Sequence, residues 1–516
     1  MSLARDVTTV GGATLLSRVL GFLRDMLIAA LLGAGTLSDA YFAALQIPNL
    51  FRRLLAEGAL NSAFVPMWLR ILAQRGADGA RLFGETVLGT MMLALGAVAV
   101  ICIGFAPQLV RLLAPGFAPG SDRFLLAVDY ARLSLPYIAI AGMVAVAASI
   151  LNAKGRVGAA AAGVAIFNGV VIATILVIIG AGSAATPATG RVLSASVVLA
   201  GIAQLLVVAA ALVRLPTTPH RPRLTGAPDT GLFYALAVPG LLAAGIPQLK
   251  FIAGAMVASA SEAGVSWLYY AYRLYELPLG VVSVAIASAI VPAVAASMRA
   301  ADPGAVAGAQ SRAFEIALGL SLPAAVALAL LADDIAVVLF ERGAFGPRDS
   351  VAVAAALAAI CAGLPGHALE KVLGAVSFAH EDTRTPMIAA LAGFATALGG
   401  ALTLFPRYGH VGVAAAIAIS GWVGAALLGA VLARRCWLTG ESELGRRLAG
   451  IVIAAAVLGG ALFCLKWFLP GQHTTIARIA ALAILIATGL TVYVATLQLL
   501  GIARLTTLLA AIRSRH

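Results

Sequence analysis

Charged residues are scarce in this sequence. Lys, Arg, Asp and Glu together make up 11% of the 516 residues, whereas hydrophobic residues make up 61% and the mean hydropathy is +1.00. A soluble globular protein carries about 25% charged residues. The shortage excludes a soluble domain as the main part of the chain and indicates an integral membrane protein.

Motifs of cofactor and metal chemistry are also missing. The four cysteines show no CxxC spacing, so we interpret them as inert packing residues. No Walker or dinucleotide-binding motif accompanies the 54 glycines. We therefore expect no metal and no cofactor. Energy for any transport would come from an ion gradient, the membrane potential or substrate turnover, and the sequence leaves that choice open.

A basic patch and a cleavable signal peptide are lacking too. The net charge of +13 comes from basic residues scattered among short loops, so we expect no nucleic-acid binding. The amino-terminal apolar run is long and striped with polar residues, and no small-residue cleavage site follows it. We expect this first span to be retained.

Long apolar runs fill most of the chain. A run of about 20 residues crosses a hydrocarbon core of about 30 Å. Hydropathy broken at Gly, Pro and charged clusters predicts about fourteen transmembrane helices, which begin near residues 8, 38, 84, 123, 159, 191, 230, 265, 312, 348, 386, 411, 446 and 476. The predicted fold class is an all-α polytopic membrane protein. With both termini in the cytoplasm, the cytoplasmic loops hold more than twice as many basic residues as the opposite loops, which favours that orientation.

An internal repeat divides the predicted helices. The segment "AYFAALQIPNLFRRLLAEGALNSAFVP" (40–66) resembles "LYYAYRLYELPLGVVSVAIASAIVP" (268–292) in its aromatic start, its proline and its closing Val-Pro. Pro136 and Pro365 continue the match at a nearly constant offset. Six spans fall in each copy, which predicts two six-helix lobes of one orientation, as in transporters built from parallel repeats. The predicted domains are an N-lobe (1–220), a C-lobe (228–440) and two additional C-terminal helices (445–516), with the polar linker 214–229 between the lobes.

Charged residues inside the predicted spans raise the question of function, because a charge at the bilayer centre costs about 2.5 to 3.5 kcal/mol even on a lenient scale. In the first span, Ser17, Arg18, Arg24 and Asp25 fall within an arc of about 120°, which must face protein or water. The other sets are Asp39, Asn49, Arg52, Arg53 and Glu57 in the second span, and Arg273 and Glu276 in the eighth.

These charges have two interpretations. The first is a set of structural ion pairs, in which Asp25, Glu57 and Glu276 neutralise nearby arginines. The second is a ligand site, because arginines outnumber carboxylates near the membrane centre and the planar guanidinium suits bidentate contact with phosphate. The arginine surplus favours an anionic, phosphate-bearing ligand.

At these segments the sequence resembles the MurJ/MviN family of lipid II flippases, within the multidrug/oligosaccharidyl-lipid/polysaccharide exporter superfamily. The resemblance rests on "LLSRVLGFLRD" (15–25), "SDAYFAALQIPNLFRRLLAEGALNSAFVP" (38–66) and "SWLYYAYRLYELPLGV" (266–281), and it extends more weakly to about residue 440 and through the last two helices. It implies two lobes around a central cavity and a groove for the polyprenyl tail formed by the C-terminal helices.

The resemblance also implies a function. A flippase of this kind moves lipid II, the undecaprenyl-diphosphate-linked peptidoglycan precursor, from the cytoplasmic to the periplasmic leaflet of the bacterial inner membrane by alternating access. We therefore expect a lipid transporter rather than an enzyme, acting in cell-wall biogenesis and cell shape. The expected partners are lipid II and membrane lipids, cell-wall synthesis enzymes stay open as further partners, and we expect a monomer.

Matching the family's motifs to this sequence assigns the candidate site. The expected substrate-binding residues are Ser17, Arg18, Arg24, Asn49, Arg52, Arg53 and Arg273. The expected charge-pairing or gating residues are Asp25, Asp39, Glu57, Lys250 and Glu276. Arg53, Glu57 and Lys250 are included from the charge pattern rather than from the resemblance.

The seventh span departs from some relatives, which carry there an acidic residue of a sodium site. The matching segment "GIPQLKFIAGAMVAS" (245–259) has Lys250 and Gly254 and no carboxylate, which argues against sodium coupling through that site. Our hypothesis is that the Lys250 ammonium replaces the missing cation; the alternative is a lysine that snorkels from a helix end. His367 and Lys371, at i and i+4, either contact the substrate or form an internally paired polar spot.

Three other functions are considered. The first is a cation or drug antiporter of the same superfamily, whose cavity should be lined by carboxylates and aromatics. The second is a transporter of another polyprenyl-diphosphate-linked glycan, which would bind its diphosphate through arginines like those expected for lipid II. A membrane enzyme acting on a lipid-linked phosphate needs a catalytic cluster. "HEDTRTP" (380–386) is the nearest such cluster, but consecutive residues do not share a helical face, so we interpret it as a solvated cytoplasmic loop.

Overall fold

The computed structural model describes residues 3–56, 59–182, 184–213, 215, 217–286, 302–468 and 474–502. Within the helices, side chains are not described for residues 3–15, 56, 59, 242–244 and 246–247. Every regular element in the described ranges is a helix.

The first half of the chain forms nine helices in the described ranges. They are α1 (Leu3–Leu32), α2 (Thr36–Ala56), α3 (Ala59–Gly104), α4 (Ala106–Leu113), α5 (Asp122–Ser134), α6 (Tyr137–Ala153), α7 (Val157–Gly180), α8 (Pro187–Leu212) and α9 (Thr230–Ala258). The later described helices are α10 (Gly264–Ala285), α11 (Pro303–Leu330), α12 (Ala332–Phe340), α13 (Pro347–Cys361), α14 (Leu364–Ala379), α15 (Arg384–Arg434), α16 (Leu444–Phe468) and α17 (Thr475–Leu499).

All fourteen predicted start positions fall inside these helices, which confirms the predicted fold class. Gly76 (φ 67°) kinks α3, and Gly409 (φ 55°) divides α15 into two halves that hold the predicted starts at 386 and 411. Among the described residues, eight elements are long and apolar enough to cross a membrane, or nine if the bent pair α13–α14 is one span.

Prolines that match in the predicted repeat lie at matching places in the helices. Pro48 lies inside α2 and Pro278 lies inside α10. Pro136 separates α5 from α6, and Pro365 lies at the start of α14, which is bent by 40° from α13. Proline removes a backbone donor and crowds the preceding turn, so the helix breaks at Pro136 and Pro365 have the same local cause.

By its contacts the chain divides into two compact units. Unit 1 is Met1–Ile252 with Arg342–Phe345, and unit 2 is Ala253–Glu341 with Gly346–His516. In unit 1, α1 packs against α7, α3 against α6, and α7 against α8. In unit 2, α14 packs against α15, and α16 lies against both α11 and α17. The boundary between the units lies inside α9; the lobe limits 1–220, 228–440 and 445–516 stay a prediction.

The polar linker lies against α3 of unit 1. The carboxylate of Glu85, a residue 3% exposed, accepts a hydrogen bond from the His220 backbone N–H at 2.9 Å and pairs with Arg223 Nε at 2.9 Å. The Arg223 backbone N–H donates to the Glu85 carbonyl at 3.0 Å. Gly89 permits this approach, because a Cβ there would lie 2.2 Å from the Arg223 carbonyl oxygen. The linker is therefore a packed part of unit 1.

Candidate functional site

The Arg24 guanidinium is held from two sides inside unit 1. Its Nε and Nη2 donate to Asp25 Oδ1 at 3.0 and 2.7 Å. Its Nη1 donates to Oδ1 of Asn168, on α7, at 3.1 Å, and Asn168 Nδ2 donates to the carbonyl oxygen of Ser17 at 3.2 Å. Asp25 is fully buried, whereas the Arg24 side chain is 15% exposed. The network therefore orients a guanidinium that is still partly accessible.

Asn168 is a member of this network that the sequence reasoning missed. It is a single amide in the otherwise apolar span "VGAAAAGVAIFNGVVIATILVIIG" (157–180). Burying an amide without hydrogen bonds costs free energy, so an isolated amide in a membrane helix predicts a polar partner on another helix. That signal indicates the presence of a partner without identifying it.

Arg52 and Arg53, on α2, have different surroundings. Arg53 Nη1 donates to Gln248 Oε1 on α9 at 2.8 Å. Arg52 is half-buried on α2, which packs against α6 of the same unit. Arg24 and Arg52 thus both belong to unit 1. Glu57, the partner that the sequence suggested for Arg53, lies outside the described residues.

Asp39 has a counterion on another helix. It is fully buried in α2, and its Oδ2 lies 3.6 Å from Nη1 of Arg123 on α5. The Arg123 guanidinium in turn lies 5.1 Å from the centre of the Phe117 ring. Sequence reasoning did not predict this pairing, which compensates the Asp39 charge within unit 1.

The remaining predicted residues of α1 and α2 are less enclosed. Arg18 is exposed at the protein surface, and Ser17 and Asn49 are half-buried. Six of the seven predicted substrate-binding residues thus lie on two helices of unit 1, and Arg273 lies in unit 2.

In unit 2, Arg273 and Glu276 form an ion pair one turn apart on α10, with 3.3 Å between Nη1 and Oε2. Their side chains are 23% and 20% exposed. On the same helix the Tyr275 hydroxyl forms a 2.8 Å hydrogen bond with Nδ1 of His367 on α14. His367 therefore belongs to an internally paired polar spot, whereas the Lys371 side chain one turn later is exposed.

Lys250, on α9, is only 5% exposed, which does not fit a lysine that snorkels out from a helix end. One turn later on the same helix, a Cβ at Gly254 would lie 2.9 Å from Ile417 Cδ1. A carboxylate side chain at that position would displace Ile417. The packing therefore agrees with the absence of an acidic residue from this segment.

The cluster at 380–386 is used for helix capping and packing. Asp382 accepts hydrogen bonds from the backbone N–H groups of Arg384 and Thr385 at 3.0 and 3.1 Å and pairs with Arg435 at 2.5 Å. The hydrogen bond from the Thr385 hydroxyl is the main cause that lowers the pKa of Asp382 to about 2. The His380 ring stacks on Trp437 at 4.1 Å. These contacts give the cluster a structural role.

The profile of the family described as "Lipid II flippase MurJ" matches residues 28–484. The chain belongs to this family. It is 39% identical over 504 residues to the probable lipid II flippase MurJ of Rhizobium meliloti (strain 1021), a match that covers 96% of this chain and 93% of the relative. It is 30% identical over 465 residues, 89% of each chain, to the lipid II flippase MurJ of Burkholderia cenocepacia.

Solved structures show the same fold. A lipid II flippase MurJ in an inward closed conformation superposes with a TM-score of 0.77 at 22% identity, covering 94% of this chain and 97% of that one. An inward-facing MATE family transporter of the MOP superfamily superposes with a TM-score of 0.67 at 16% identity, covering 83% and 96%. The predicted family is confirmed.

Membership in the MurJ family also assigns the protein class. The relatives are named as flippases, which are transporters rather than enzymes. The chain is therefore a multi-span transporter of a bacterial family, and family membership places it in the inner membrane, in cell-wall peptidoglycan synthesis. The membrane-enzyme alternative is not supported.

Proposed function

We propose that this protein moves lipid II from the cytoplasmic to the periplasmic leaflet by alternating access, and that Arg24, Arg52 and Arg273 bind the diphosphate. Membership in the MurJ family supports the substrate. The single observation that most supports the arginine role is the Arg24 network, in which a guanidinium on α1, part of the first predicted span, is oriented yet 15% exposed.

The charges of α1 and α2 favour an anion. Between Ser17 and Ala56 there are four arginines and two carboxylates, and one of these carboxylates, Asp39, pairs with Arg123 on another helix. A diphosphate is a strong acceptor for the guanidinium fork, and its attraction to positive charge is greater in a low-dielectric interior than in water. A neutral or cationic ligand would gain nothing from this arrangement.

A guanidinium that is already oriented lowers the entropic cost of binding the diphosphate. A side chain that is already held in one direction loses less conformational freedom when a ligand binds. Asp25 and Asn168 supply this restraint for Arg24. For Arg273 we propose that Glu276 is the partner in the substrate-free state, and that the phosphate oxygens replace Glu276 when the substrate binds.

Other parts of the assignment are also proposals. We propose that the lobes are 1–220 and 228–440, that α16 and α17 line the groove for the polyprenyl tail, and that both termini are cytoplasmic.

The surface of α16 is suited to lipid contact. It has three apolar side chains that are 67 to 79% exposed: Phe463, Trp467 and Phe468. Lys466 pairs with Asp334 at 2.8 Å and ties α16 to α12. We also propose that the Lys250 ammonium replaces the cation of an ion-coupling site.

The test is a headgroup-accessibility assay in vesicles that contain the purified protein and lipid II. We expect Arg24→Ala, Arg52→Ala and Arg273→Ala each to lower the transport rate by about tenfold or more, since a charged hydrogen bond contributes about 1.5 to 3 kcal/mol. Arg191→Ala is the matched control, because Arg191 forms an exposed ion pair with Asp129. Full activity in all three variants, or equal transport of a diphosphate-free analogue, would contradict the arginine assignment.

A further inference from the structure

Asn168 is the point at which α7 contacts the charged face of α1. The two polar ends of its amide have different partners: Oδ1 accepts from Arg24 Nη1 at 3.1 Å, and Nδ2 donates to the Ser17 carbonyl at 3.2 Å. The residue is 5% exposed, and its helix is otherwise almost entirely apolar. Burying an amide in this position costs more free energy than burying a leucine, unless the amide forms both of its hydrogen bonds.

The geometry matches a restraint on the guanidinium rather than simple helix packing. Asp25 lies next to Arg24 in sequence and contacts it through Nε and Nη2. Asn168 contacts the remaining nitrogen, Nη1, from a different helix. Together the two residues determine the plane of the guanidinium, and bidentate contact with a phosphate depends on that plane.

We infer that Asn168 is a positioning residue for diphosphate binding, acting through Arg24. The inference rests on the proposed function, and it adds a residue on the fifth predicted span to a site otherwise assigned to the first, second and eighth. The neutral amide suits this role: it accepts from Arg24 without adding a second negative charge beside Asp25. It also has an N–H for the Ser17 carbonyl, which an aspartate lacks.

The test uses Asn168→Leu, which keeps the number and branching of the side-chain heavy atoms and removes both hydrogen bonds. Lipid II binding to the purified protein is measured beside binding of a diphosphate-free analogue, together with thermal unfolding. We expect the affinity for lipid II to fall about tenfold while the affinity for the analogue stays within about twofold. Gln204→Leu is the control, because Gln204 is also a buried amide in unit 1, packed beside Gly163 of α7.

A double-mutant cycle with Arg24→Ala separates positioning from packing. If Asn168 acts through Arg24, then Asn168→Leu changes lipid II affinity by less than about twofold in the Arg24→Ala background. Equal effects in both backgrounds, or an equal loss of affinity for the analogue, would overturn the inference while leaving the proposed function intact. Undiminished lipid II binding by Arg24→Ala itself would overturn the diphosphate role of Arg24 and the Asn168 inference with it.

Discussion

At the scale of single residues, the charges in the membrane helices fall into two groups. Arg24 and Arg273 each pair with a carboxylate on their own helix: Asp25 is the next residue in the sequence, and Glu276 lies one turn later, a spacing that the helical period favours. Asp39 and Arg53 instead contact partners on other helices. The local pairs could be expected from the sequence. The long-range pairs could not, because no local pattern specifies which helices become neighbours.

The Asp39–Arg123 pair leads to a stability prediction. Asp39 is fully buried, so removing its cation in Arg123→Ala should destabilise the protein by about 2 kcal/mol, below the usual cost of breaking a buried pair because Arg123 is 22% exposed. The additional change Asp39→Asn should restore part of this loss, since it removes the buried charge. Thermal unfolding in detergent measures both variants. An equal loss in the single and double variants would contradict the pairing.

At the scale of elements, close approach between helices depends on missing side chains. A Cβ on Gly190 of α8 would lie 2.1 Å from the hydroxyl oxygen of Tyr130 on α5. Tyr130 is fully buried, and its hydroxyl donates to the Pro187 carbonyl at 3.1 Å, so the ring cannot easily move. Small residues at membrane-helix contacts permit this kind of packing.

Gly190→Ala should therefore destabilise the protein by about 1 to 3 kcal/mol through overpacking. Gly96→Ala, in α3, is the matched control, because a Cβ there meets nothing within 4 Å. We expect the control to be neutral or to stabilise by up to about 1 kcal/mol, since alanine favours helix more than glycine does. Detergent melting curves that show equal effects at the two positions would count against the contact.

The linker is an element whose role the sequence analysis described incompletely. Its polar composition predicts a connection between the lobes, but Glu85 holds it against α3. Glu85→Ala should cost about 2 to 3 kcal/mol and make residues 217–229 more sensitive to protease. Asp129→Ala, which breaks an exposed ion pair, should cost less than about 1 kcal/mol. Unchanged protease sensitivity in the Glu85 variant would show that the linker is held by other contacts.

At the scale of the whole molecule, the chain consists of two compact units, and the charge distribution predicts its orientation. Tyr408, beside the Gly409 kink, is predicted to be periplasmic, whereas Cys436, after α15, is predicted to be cytoplasmic. Both positions are exposed. In a background without the other cysteines, a membrane-impermeant maleimide should label Tyr408→Cys in intact cells and label Cys436 only after the cells are opened. The opposite labelling would reverse the topology.

The amino-acid sequence by itself determined the membrane fold class, and it predicted the repeat from matching segments of the chain. Each depends on local hydropathy, on proline or on charge near the membrane surface, and a bilayer accepts few alternatives to a helix. It also located the arginines of α1, α2 and α10. Only the tertiary structure decided that Asn168 contacts Arg24, that Arg123 compensates Asp39 and that Glu85 binds the linker. Those partners lie on different helices, and packing in three dimensions rather than periodicity along the chain brings them together.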